Sequence, residues 1–382
     1  MVSKLTQVSA FKLSTLSICL ALIVPTLGFA ASDAKKEQNE VQNEVIDTVY
    51  ALSNNVDKNE VLAFQRDAKG AMTALGRFAT AGKGTGGGLG NQGALAISKD
   101  GDYLFAVNPG SNDVSVFAIK KSGQLSLLDH ADDQGIRPVS VTVDHNRVYV
   151  VNAGDDSIFG YQFNRKLGKL EPLPLSHKRL SSTRTAPAQI SFDNEGEVLV
   201  ATEKATNKIT TFTFDDRNTP SDGVSFNSAG ATPFGFTFTK RNYIIVSEAN
   251  GGAPGASSLS SYKLADEGNP SLINSAAATG QTAACWVVTT PNGRIAYTTN
   301  TGSSTISSFT VKSDGTLTLL QAIAANEKNP TDLAMSNDGK VLYALSTGDR
   351  SVGVYNIDKN GALSKVTNLG PLPAGATGLA VR

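Results

Sequence analysis

Apolar and polar positions along the chain fall into short, strand-length runs that recur. The segments GALAIS (93–98), PVSVTV (138–143), PAQISF (187–192), PFGFTF (233–238), AACWVV (283–288), PTDLAM (330–335) and ATGLAV (376–381) begin 45, 49, 46, 50, 47 and 46 residues apart. Most lead through a polar turn, such as KDG (99–101) or NDG (337–339), into a second apolar run such as YLFAVN (103–108), VLVATE (198–203) or YIIVSE (243–248). A loop of small polar residues then precedes an alternating run, such as VSVFAI (114–119) or ISSFTV (306–311). A looser fourth run follows, as in DGTLTLL (314–320). The pattern predicts four antiparallel strands in about 47 residues and no helix of useful length. A four-stranded repeat of this period is that of a β-propeller. One such sheet cannot bury both of its apolar faces alone, and stacking twisted sheets around an axis does so.

The two ends complete the count. TVYALS (48–53), EVLAFQ (60–65) and AMTALGRF (71–78) read as a second, third and fourth strand with no first, while ATGLAVR (376–382) reads as a first strand with nothing after it. Together they make one blade, so residues 47–382 are expected to form an all-β, seven-bladed propeller with its ring closed by the C-terminal strand.

The preceding residues change the picture only in location. Lys4 and Lys12, an apolar run from Leu13 to Leu27 and Gly28-Phe29-Ala30 form an export signal over 1–30 with a cut before Ala31. The alternative of a membrane anchor is disfavoured by the short run and Pro25. Residues 31–46 read as a flexible polar leader. The product is expected to be periplasmic or secreted and monomeric, with no membrane insertion after processing. Cys285 would then be its lone cysteine, so no intramolecular disulfide can form. Basic and acidic residues balance at 34 each, which argues against a nucleic-acid partner.

Aligning the units puts one polar residue per blade at the end of strand two: Ser53, Asn108, Asn152, Glu203, Glu248, Asn300 and Ser346. These ends are expected around one mouth of the axial channel, where the starts of strand one add Arg137, Ser140, Gln189, Trp286 and Asp332, with Phe234 as an apolar wall. Asparagine and serine there also suit ordinary turn chemistry, but glutamate is not a favoured turn residue. Glu203 and Glu248 on adjacent blades would raise one another's pKa, as a general acid or a cation site requires. Arg184 is placed to reach them. A small, polar, concave site follows, with Glu203, Glu248 and Arg184 catalytic and with Asn108, Arg137, Asn152, Gln189, Trp286, Asn300 and Asp332 binding substrate. A water-filled channel that binds nothing specific is the plainer alternative.

Other motifs carry less. GKGTGGGLGNQG (82–93) matches a dinucleotide fingerprint at Gly82, Gly84 and Gly87, but no helix follows it, so it reads as a mobile connection or a partial lid. His130, His145 and His177 do not cluster, so neither a zinc site nor a serine–histidine pair is placed. Acidic turns such as Gly154-Asp155-Asp156 lack calcium-loop spacing. No cofactor is called for, although the paired glutamates could hold a divalent cation at the channel mouth.

The segments APAQISFDNEGEVLVATEKATNKITTF (186–212), SAGATPFGF (228–236) and QTAACWVVTTPNGRIAYTTNTGSSTISSF (281–309) resemble the lactonase-type seven-bladed propellers. That family includes the propeller-type 6-phosphogluconolactonases and 3-carboxymuconate cyclase-like proteins, and the likeness is to its exported bacterial branch, over residues 47–382. The resemblance implies a Gly-Pro-Arg-His segment opening one inner strand and a Glu ending the next strand. Here Glu203 falls on that Glu position, and Ala188 and Gln189 fall on the Arg and His positions. Glutamine cannot move a proton, so the family's proton-transfer pair is incomplete.

Two functions remain open. One is a lactonase-like hydrolase or cycloisomerase acting on a small oxygenated acid. The other is a non-catalytic propeller that holds a small ligand, a glycan or an envelope protein. A quinone-dependent dehydrogenase is disfavoured because the chain has one tryptophan.

Overall fold

The computed structural model describes residues 45–382; the export signal expected over 1–30, and all but the last two residues of the expected leader, lie outside the described residues. Val45 and Ile46, read as leader, already belong to the first strand, Val45–Leu52. That strand pairs on one side with Glu60–Asp67 and on the other with the C-terminal Thr377–Val381, in register Tyr50↔Ala380 and Ala51↔Leu379. Reciprocal backbone bonds between Thr48 and Arg382, at 3.0 and 2.9 Å, continue the ladder. Each terminus thus supplies the edge partner that the other lacks, and blade one is complete.

Six more antiparallel sheets follow, and the innermost strands touch in unbroken cyclic order from blade one through blade seven and back. This is the seven-bladed propeller expected from the repeat. Blade three departs slightly, because two short outer segments, Lys169–Pro172 and Lys178–Arg179, share its third strand. The first strand of blade two shrinks to Leu95–Ile97. Ala94 O still accepts from Val107 N of its own blade at 3.1 Å, but Gly93 O accepts a bond from Val141 N of blade three at 2.8 Å.

The second and third strands carry the core. Tyr50, Phe105, Phe117, Val150 and Tyr161 pack across blades one to three, and Val49, Leu62, Tyr343, Val354 and Leu379 pack across blades seven and one. Each such side chain contributes roughly 1.5–3 kcal/mol when fully buried. Polar latches fix the angle between blades. Tyr50 OH donates to Gly123 O of blade two at 2.8 Å, and Tyr297 OH to Gly361 O of blade seven at 2.9 Å. At the closure, Tyr343 OH donates to Asp47 Oδ2 at 2.6 Å, and Asp47 also pairs with Arg66 at 2.8 Å.

Candidate functional site

The seven polar residues that end strand two do not line the channel. Ser53, Asn108, Asn152, Glu203, Glu248, Asn300 and Ser346 are all fully shielded from solvent. Most hold the connector that enters their own blade against the third strand. Glu203 accepts bonds from Ser181 N at 3.0 Å, Thr206 Oγ1 at 2.6 Å, Ser181 Oγ and Thr210 Oγ1. Glu248 accepts from Gly230 N at 2.7 Å, Ser228 Oγ at 3.2 Å, Ser258 Oγ at 2.5 Å and Ser260 Oγ at 2.6 Å. Each carboxyl group is saturated within its own blade. Burying such a group without those donors would be costly, and with them both carboxyl groups are enclosed by protein donors and offer no exposed oxygen to a ligand.

The expectation that Glu203 and Glu248 form a catalytic pair is therefore corrected. A divalent cation held between them loses its basis for the same reason. Arg184 is exposed, and among the described residues no ion pair joins it to either glutamate. Its backbone N–H donates to Asp156 Oδ2 at 2.6 Å.

The predicted binding residues divide in the same way. Asn108 donates to Ser115 Oγ at 2.8 Å and accepts from Asn59 Nδ2 at 2.9 Å, and Asn300 donates to Thr305 and Ser307. Asn152 donates to Ser157 Oγ and packs against the connector at Gly135, as Asn108 does at Gly82, whereas Asn300 bonds only the third strand of its own blade; all three are spent inside their blades. Asp332 is buried, and burial pushes its carboxyl well above the ordinary range while Leu333 N–H bonds it at 2.8 Å. Gln189 uses both ends of its amide on Phe236 of blade five, at 2.9 and 2.7 Å, and so ties two inner strands together. Arg137 is exposed, and Trp286 faces the axis.

What Trp286 meets there corrects the reading of residues 82–93. Leu89, Asn91 and Gln92 are buried. Gln92 Nε2 donates to Val287 O at 3.0 Å, Val287 N donates back to Gln92 Oε1 at 3.2 Å, and Gln92 N donates to Ala188 O at 3.0 Å. Trp286 Nε1 donates to Asn91 O at 2.6 Å, and Asn91 Nδ2 bonds Val139 O. These partners lie on blades three, four and six. Blades two and six are not neighbours in the ring, so bonds between them cross the axis. The end of the segment, residues 89–92, is thus not a simple connection but a plug seated in the channel, while residues 85–88 before it are exposed. Gly235 is required by it, because a Cβ there would lie 2.0 Å from Gln92 Oε1 and 2.7 Å from Cys285 O.

Beside the plug stands a residue that the sequence did not single out. Lys204 follows Glu203 but turns the opposite way. Its ammonium bonds Gly90 O of the plug and Pro187 O at 3.1 Å, and it sits 4.8 Å from the Phe234 ring centroid. Burial, opposed by Cys285 and assisted by the charge of Arg137, lowers its pKa from 10.5 to about 8. Burial also pushes the Cys285 thiol up to about 12, so that thiol is not a nucleophile. Phe234 and Trp286 pack at 4.9 Å. Lys204, Phe234 and Trp286 therefore pack together beside the plug, close enough to the exposed Arg137 for its charge to act on the Lys204 amine. No spacing rule marks Lys204, because its burial depends on the plug; Gly235 in mid-strand was the one sequence sign of a close approach.

Among the described residues no three His, Cys, Asp or Glu side chains converge as a metal would need. Fold and site together define a seven-bladed propeller with a plugged axis. A family model described as a lactonase, seven-bladed β-propeller matches residues 52–179 and 256–376, about two thirds of the chain. The protein belongs to that lactonase family. A 6-phosphogluconolactonase of Photorhabdus laumondii is 27% identical over 115 residues, which span 30% of this chain and 33% of that protein. A solved structure of a Lactobacillus plantarum protein aligns with a TM-score of 0.72 at 16% identity, covering 89% of this chain and 100% of that one. The periplasmic gluconolactonase of Pseudomonas aeruginosa aligns at 0.68 and 13%, covering 87% and 99%. At these identities the structural likeness carries the fold alone. The family match skips residues 180–255, which hold Gln189, Glu203, Lys204, Phe234 and Glu248.

Proposed function

We propose that this lactonase-family propeller hydrolyses a lactone of a small oxygenated acid at the channel mouth, with Lys204 as the proton-transfer group and Arg137 as the carboxylate anchor. The observation that carries this reading is the half-buried amine of Lys204, bonded to Gly90 O and Pro187 O, lowered to about 8 and seated beside the Phe234 ring. A side chain tuned near the working pH is suited to general acid–base catalysis. A neutral Lys204 keeps two N–H bonds for Gly90 O and Pro187 O and leaves one lone pair. That lone pair accepts a proton from water as the water oxygen bonds to the lactone carbonyl carbon. The ring C–O bond then breaks, and the proton passes to the departing alkoxide. Relatives named for gluconolactone and 6-phosphogluconolactone favour a sugar-acid ring as the substrate class. The signal-like residues 1–30 favour an exported site of action, in the periplasm or outside the cell.

The test is acid release from a lactone panel, followed with a pH indicator. Turnover should rise with an apparent pKa near 8, fall at least 100-fold in Lys204→Met, and not return in Lys204→Arg, which keeps the charge but has no accessible neutral form. Full activity in Lys204→Met would reject the assignment. A second reading, a propeller that only holds its ligand, is favoured by the saturated Glu203 and Gln189. It predicts no turnover on any lactone and a raised Tm with a sugar acid, because a ligand specific to the folded state stabilises it.

A further inference from the structure

On the opposite face, where first and second strands are joined by turns, a cleft of about 520 Å³ opens between blades five and six. Lys240 and Arg241 come from the turn of blade five, and Arg294 and Lys312 come from blade six. No acidic residue lines it, and none of the four makes an ion pair within 4.0 Å among the described residues. Asp314 flanks it, and its carboxyl is held below the usual range by the Thr316 N–H and side chain, with the Lys312 charge adding to this. Arg241 Nη1 donates to Ser313 O at 2.6 Å and Val311 N donates to Arg294 O at 2.8 Å, so the walls are braced across and within the blades.

The neighbouring clefts serve as internal controls. Between blades six and seven the same geometry carries Asp338 and Asp358 against Lys340 and Lys359, with Asp338 and Lys340 paired at 3.2 Å. Near the chain closure, Asp100 accompanies Lys99 and Arg382. In a chain with equal numbers of acidic and basic residues, four cations without an ion-pair partner among the described residues, lining one concave space that has no acidic wall, stand apart. Repulsion among them is unfavourable unless an anion relieves it.

We infer that this cleft binds a small phosphate-bearing molecule. The volume suits a ligand of sugar-phosphate size. A multivalent anion matches converging lysine point charges and guanidinium forks. The site is separate from Lys204, so its fate does not depend on the reading of the channel mouth.

Inorganic pyrophosphate is the probe, titrated calorimetrically into the full folded chain at low salt. Saturable binding at one site is expected, weakened at least tenfold in the double variant Arg294→Ala, Lys312→Ala and unchanged in Lys340→Ala and in Lys204→Met. Arg241 is left intact because it braces the blades. Absence of saturable binding, or equal loss in Lys340→Ala, would overturn the inference. So would capture by phosphatidylglycerol vesicles without pyrophosphate binding, which would assign the charge to a lipid surface.

Discussion

Blades four and five end their second strand in glutamate, where blades six and seven use asparagine and serine. In blades four and five the slot holds the incoming connector against the third strand, and each blade supplies donors in proportion to what fills its slot. Glu203 and Glu248 each receive four bonds. Asn300 bonds only two hydroxyls and leaves its Oδ1 without a partner. Blade seven moves the carboxyl group elsewhere. Ser346 bonds Lys328 O, and Glu327 of the connector fills the space beside Gly353, where a Cβ would lie 2.3 Å from its Oε2. A carboxyl group in a channel-end position is thus evidence of catalysis only if some of its acceptor capacity is free.

The comparison can be broken by substitution. Glu248→Gln and Glu203→Gln should each cost about 3 kcal/mol, because an amide N–H₂ would face donors in a dry site. Asn300→Ala should cost about 1 kcal/mol, since fewer bonds are lost. Urea unfolding measures all three, and equal costs would mean that the slots are equivalent.

Next in size is Gly235→Ala, which should expel Gln92 and cost about 1–3 kcal/mol through overpacking. Trp286 is the single tryptophan and bonds the plug, so its emission should shift to the red in this variant as the axis hydrates. Unchanged emission would mean that the plug does not depend on the glycine.

Asp133 sharpens a contrast in blade three, where the slot holds Asn152. Burial first, and the negative charge of Asp155 in addition, raise the Asp133 carboxyl to about 7. Its Oδ2 and the Asn152 Oδ1 are buried acceptors without donors. The folded chain therefore keeps a proton that the unfolded chain releases, and stability falls as pH rises from about 4 to about 7. Asp133 retains some contact with solvent, so the loss is on the order of 1 kcal/mol. Asp133→Asn should raise Tm at pH values above this window and leave it nearly unchanged below. A shift of the same size on both sides would assign the effect to packing instead.

Much of the fold was readable without coordinates because propeller geometry is local and repeated. Alternation within each run sets which side chains face the next sheet, and the missing first strand of the N-terminal unit matches the lone C-terminal strand. The exception was Val45 and Ile46, whose polar neighbours concealed a strand that begins three residues before Thr48.

The site was far less legible. Position along a strand is a local property, and it correctly brought Glu203, Glu248, Asn108 and Asn300 to one end of their blades. Whether such a side chain faces the axis, or folds back onto its own connector, depends on donors that approach from other loops, such as Ser181 and Gly230. The plug is more remote still, since Gln92 meets Val287 across 195 residues of sequence. Strand pattern, ring closure and blade number were decided by the order of residues alone. The sealing of the axis, the partial burial of Lys204 and the gathering of cations between blades five and six were decided only when the blades closed into a ring, because each depends on side chains that no short stretch of chain holds together.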